Sequence, residues 1–167
     1  MTTRDYLIVL LQGAHALHRD VLPMLDNLRH QSTDGRVQLA LQTQHDGLRG
    51  EMETAEQALN LLGARFTLEH SVPGRGLKEA GDRFRHQHAP TREQLDVHAL
   101  LLALTAAGIA RGMYQGAMGM AQAIGEQDVA KLLEEMDHRQ VIGQADLGEL
   151  IPRLLQEIEA RGARRAA

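Results

Sequence analysis

At 167 residues the chain can form one domain with a sizeable core, and 43% hydrophobic against 24% charged residues, with a mean hydropathy of −0.30, is the balance of an ordinary soluble fold. A net charge of −4 and a pI near 6.1 exclude a general nucleic-acid binder, and the absence of cysteine excludes disulfides, thiolate zinc sites and cysteine nucleophiles. Aromatic residues make up only 2% and there is no Trp, so the core rests on Leu, Ala, Val, Ile and Met, which favours helices over sheets.

The first apolar run, Tyr6 to Leu11, is too short to span a membrane and lacks the flanks of a signal peptide. No membrane association is expected, and a cysteine-free chain fits the reducing cytoplasm. Around this run, Leu7, Leu11, Ala14, His18, Val21, Leu25 and Leu28 recur at steps of three and four, which predicts a helix over Thr3–His30 with Pro23 as a bend. Ser32-Thr33-Asp34-Gly35 reads as a turn with a capping residue. A second helix follows over Arg36–Leu62, with Val37, Leu41, Leu48, Met52, Ala55 and Leu59 on its apolar face and Gly63 as its stop.

Residues 64–90 are rich in Gly, His and Arg and too long for a turn; a short helix is expected near Leu77–Phe84. Thr91 and Gln94 have capping-box spacing, and a third long helix runs from there to Ile124, ending at Gly125. Its run from Leu100 to Ala110 is apolar nearly all round, as in a helix with several neighbours. Gly108, Gly112 and Gly116 recur every four residues, which suggests close approach by another helix, inside the chain or from a second copy in a homodimer. A fourth helix spans Asp128–Arg161, followed by a frayed basic tail over 161–167. Two hairpins with short turns, joined by one long crossover, make a single all-α, ferritin-like four-helix bundle domain over 1–160.

A ferritin-like di-iron site needs a Glu from each of two helices and Glu-x-x-His from the other two, because two cations require several anionic oxygens on facing stripes. The inward positions here offer His15 and His18 on the first helix, and Gln44 and Glu51 on the second. The third helix turns in Ala103, Ala107, Ala110 and Tyr114, and the fourth Met136, Arg139, Gln140 and Gly143. Glu135 and His138 have ligand spacing, but His138 falls on the outer face.

These positions carry a resemblance to the YciF/YciE-type ferritin-like proteins, small bacterial proteins associated with stress responses. It covers Asp5 to Leu155: Ala14-His15 with Leu22-Pro23, Gln44 and Glu51, Gly76-Leu77, Asp96 with Tyr114, and Leu132-Leu133 with Arg139-Gln140 and Leu147. In that alignment the family's Glu-His-x-Glu falls on Ala107-Gly108-Ile109-Ala110, and its helix-two His on Gln44. The resemblance implies the bundle fold, while the former metal positions Gln44, Ala107, Ala110, Arg139 and Gln140 imply a degenerate site. An Arg139–Glu51 ion pair, with Gln44 and Gln140 beside it, is the expected replacement for the metal. The functional expectation is therefore a stress-associated structural or interaction module without cofactor or catalysis. The alternative is one iron, zinc or manganese ion held by His15, His18 and Glu51, with an oxidase or storage role. A third option is a small molecule in the space that the missing ligands leave.

Overall fold

Leucine and alanine at helical intervals close into long helices whose ends carry their own stop signals. The structure is a computed structural model. It describes residues 1–88 and 90–166, apart from the side chains of 87–88, 139–146, 162 and 164–166. Helix α1 (Thr3–Gln31) starts at a capping box, where Asp5 N–H donates to Thr2 Oγ1 at 3.2 Å and Thr2 N–H donates to Asp5 Oδ2 at 2.7 Å. It runs without interruption through Pro23. Helix α2 (Gly35–Leu61) is capped by Asp34, which accepts from Arg36 N–H at 2.8 Å.

The crossover contains α3 (Val72–His88), twice the length that the sequence suggested. Pro73 and Gly74 read as loop, yet they sit in a first turn whose N–H groups have no helical partner. Ser71 supplies the cap there, accepting from Gly74 N–H at 3.0 Å. Helix α4 (Arg92–Ile124) opens with the Thr91–Gln94 capping box and stops at Gly125, whose φ of +80° suits glycine. Helix α5 (Gln127–Ala166) includes the segment expected to fray. Its Arg161 reaches Glu93 at 3.4 Å and Glu157 at 3.7 Å, which holds the last turns against the neighbouring helix.

The four long helices form a square in which α1 packs on α2 and α4, and α5 packs on α4 and α2. Leu10 lies beside Gly116 and Gly13 beside Met113, so α1 and α4 run in opposite directions. This is the ferritin-like arrangement of two hairpins and one crossover. The crossover is strapped along α1 by side chains that donate into its carbonyls. Arg4 reaches Leu62 O at 2.6 Å, Gln12 reaches Arg65 O at 2.6 Å, and Arg19 reaches the carbonyls of Thr67, Leu68 and Glu69.

The glycine stripe on α4 is open on the side of the described residues. Among the described residues a Cβ at Gly108 or Gly112 would meet nothing within 4 Å, and one at Gly116 would meet Leu10 at 3.5 Å. Between α1 and α4 it is Gly13 that allows close approach, since a Cβ there would push the Met113 methyl aside from 2.6 Å.

Candidate functional site

Halfway along α1, His15 and His18 are 3% and 0% exposed, and both turn toward α2. Because the two helices are antiparallel, the earlier histidine meets the later carboxylate. His15 Nε2 lies 2.9 Å from Glu56 Oε1, and His18 Nε2 lies 3.4 Å from Glu51 Oε2. Tyr114 enters from α4 with only 1% exposure. Its hydroxyl is 2.8 Å from His18 Nε2 and 3.2 Å from the Glu51 carbonyl oxygen. Three helices therefore meet at one buried phenol.

The hydrogen-bond inventory fixes the proton positions that satisfy every donor. Tyr114 has a single proton, and the Glu51 carbonyl can only accept. The phenol therefore donates to Glu51 O and accepts from His18 Nε2–H. Likewise His15 Nε2–H donates to the Glu56 carboxylate. This assignment leaves the Nδ1 lone pairs of both histidines buried, with no partner among the described residues. The reverse assignment would bury an N–H without an acceptor, which costs more.

Burial also sets the charge states. His18 is held down to about 3 by loss of water and, secondarily, by His15, so it is neutral at physiological pH. Tyr114 is pushed well above the usual phenol range by burial and then by the Glu51 charge, so its proton stays in place. Phe66 from the crossover stacks on His15 with ring centroids 4.7 Å apart, covering the outer side of the cluster.

The expected His15, His18 and Glu51 set is not gathered at one point. Each histidine faces its own carboxylate, and among the described residues no three His, Asp or Glu side chains could hold a metal ion. Nor do the described residues fit the two irons that the ferritin-like fold implies. Ala107 and Ala110 are 5% and 0% exposed on α4, so methyl groups occupy the places where the resemblance puts carboxylates. Gln44 is buried two turns before Glu51 and contributes an amide. The side chains of Arg139 and Gln140, and with them the expected Arg139–Glu51 pair, lie outside the described residues. His138 is exposed and bonds to Glu134 O at 2.9 Å, as its outer position required.

Sequence reasoning missed two members of this cluster. Glu56 was not singled out, although the antiparallel order of two histidines on one helix asks for two carboxylates in reverse order on the next. Tyr114 was placed inward but was credited with no role. A buried tyrosine needs a partner for its hydroxyl, and this one is among only two in the chain.

No curated protein matches the sequence significantly. Among solved structures, the E. coli stress protein YciF superposes with a TM-score of 0.83 at 18% identity, covering 93% of this chain and 98% of YciF. YcfI from Rhodopseudomonas palustris gives 0.80 at 16% identity, covering 89% of this chain and 94% of its own. A protein from Xanthomonas campestris pv. campestris gives 0.75 at 14% identity, covering 98% and 99%. At such identities the likeness shows the fold alone. The family described as Domain of unknown function (DUF892) matches residues 2–160, and the chain, with the fold of YciF, belongs to that family.

Proposed function

We propose that this protein is a non-catalytic, ferritin-like structural or interaction module of bacterial stress physiology, with a hydrogen-bonded His–Tyr–Glu cluster where a di-iron protein holds metal. The observation that carries the reading is the burial of Ala107 and Ala110, whose methyl groups cannot ligate a cation. The likeness to a stress protein supports the physiological setting.

One observation favours the metal-binding alternative: two imidazole nitrogens, Nδ1 of His15 and of His18, are buried without a hydrogen-bond partner among the described residues. Elemental analysis of protein expressed with added iron, zinc and manganese separates the readings. The module reading predicts no stoichiometric metal and a thermal midpoint indifferent to chelator. One equivalent of metal, lost in His15→Ala, establishes the alternative, and two equivalents of iron overturn both.

A homodimer belongs to the same proposal. Among the described residues nothing lies within 4 Å of a Cβ at Gly108 or Gly112, and between His98 and Gly125 the only charged residue of the sequence, Arg111, is tied to Asp137 at 2.9 Å. Light scattering on the same samples should give twice the chain mass of 18.4 kDa.

A further inference from the structure

Between α2 and α3 the chain turns away at Gly63, whose φ of +66° favours glycine, and re-enters a helix at Val72. Both ends are anchored, with Leu62 at 2% and Ser71 at 6% exposure, but from Arg65 to His70 every residue except half-buried Thr67 stands in water. Leu68 is 80% exposed, so apolar burial does little to hold this segment. What holds it is α1. Gln12, His15 and Arg19 fall on one face of that helix, at steps of three and four. Gln12 donates to the carbonyl of Arg65, and Arg19 to those of Thr67, Leu68 and Glu69. Asp20 takes the opposite polarity: it accepts from Ser71 N–H at 2.7 Å and lies 2.8 Å from His70 Nδ1. Among the described residues, every hydrogen bond that residues 65–70 make to a helix ends on α1.

Under the segment lies His15, with Phe66 stacked on its ring. Burial deepens inward along the cluster: the Glu56 side chain is 39% exposed, His15 4% and His18 1%. The His15–Glu56 pair is thus the outer end of the cluster, and the segment crosses over it. Side chains that bond to carbonyls at a wet surface can exchange them for water one at a time, without breaking a helix or opening the core.

We propose that residues 64–71 are a lid over the outer end of the buried His–Tyr–Glu cluster, which swings from Gly63 while the four long helices stay folded, and so uncovers His15. Arg19 and Asp20 are its latch, one holding carbonyls and the other an N–H. A small ion or molecule bound for the cluster enters here. The lid does not depend on which reading of that cluster holds.

Diethyl pyrocarbonate acylates accessible imidazoles, and peptide mapping of the treated full chain assigns a rate to each histidine. The side chains of His30 and His70, 63% and 72% exposed, set the fast limit, and His18 reports opening of the whole bundle. His15 should fall between them. Arg19→Ala should speed acylation of His15 at least about fivefold and leave His18 unchanged. Because this variant keeps the acceptor of Ser71 N–H, exchange of that amide should quicken alongside. Asp20→Ala should speed His15 acylation as well and guards against a failure of the first variant to fold, with circular dichroism confirming helix content in both. Arg29→Ala, which removes a bond to Asp26 within α1, should label as wild type. The proposal is overturned if His15 reacts at either limit in wild type, if both latch variants leave its rate unchanged, or if they speed His15 and His18 equally. Faster Ser71 exchange without faster His15 acylation also overturns it, because the segment would then move without guarding the cluster.

Discussion

In the middle of the bundle His18, Tyr114 and Glu51 join three helices across a space closed to water. At the end where α4 begins, Arg36 joins Asp34 at 2.7 Å and Glu157 at 2.8 Å, and Arg161 joins Glu157 and Glu93, all in contact with solvent. Both networks tie distant parts of the chain, and the exposed one, with opposite formal charges in every pair, would rank as the stronger by charge alone. Their environments reverse the ranking. In water an ion pair exchanges one set of good partners for another, whereas a buried donor has no alternative to the partner that the fold supplies.

Acid should expose the difference most. His18 sits at about 3 in the folded chain against 6.5 for a free histidine, so the unfolded state binds the extra proton first. Its contribution is fully present above pH 6.5 and is lost as pH falls toward 3. Between pH 6.5 and 4.5 this amounts to about 2 kcal/mol. Asp96 works the other way, because burial holds its carboxyl above the usual range and favours the folded state as pH falls. The measurement is therefore the difference in urea-unfolding free energy between wild type and His18→Leu across that window. A narrowing gap as pH falls is expected; parallel curves would mean that His18 is charged in the fold.

Tyr114→Phe should come next, at about 1–2 kcal/mol. It retains the ring, which stacks on His18 at 5.7 Å, and removes the hydroxyl that takes His18 Nε2–H and donates to Glu51 O. The loss is read as a lower denaturant midpoint at unchanged slope. An unchanged midpoint would show that the cluster is packing rather than bonding.

The two networks also differ in how far the sequence discloses them. The bundle was legible because its signals are local: leucine spacing, the Thr91–Gln94 box, Gly125, and a middle connection long enough to cross the domain. The longer α3 was not, since Pro73 and Gly74 mark a loop unless Ser71 is known to cap them. His15 and His18 were legible as inward residues, but their pairing with Glu56 and Glu51 depends on the register between α1 and α2. The Arg36–Glu157 contact spans 121 residues and has no sequence signature at all, since any surface arginine could serve.

Arg36→Ala should have the smallest effect. Its guanidinium spans two carboxylates, with both nitrogens engaging Glu157 at 2.8 and 3.0 Å, and it draws the Glu157 carboxyl below its ordinary range. Yet the cap on α2 survives the substitution, because Asp34 accepts there from the backbone N–H of residue 36. What is lost is an exposed attraction, opposed by the freedom that a long side chain recovers and by hydration of the released carboxylates. The midpoint should shift less than in Tyr114→Phe, and raising salt to about 0.5 M should erase the shift, because mobile ions already screen such a pair. A larger shift than that of Tyr114→Phe, persisting in salt, would mean that the charged end clamps α5 to α2 and that burial is the wrong guide to which network holds the bundle.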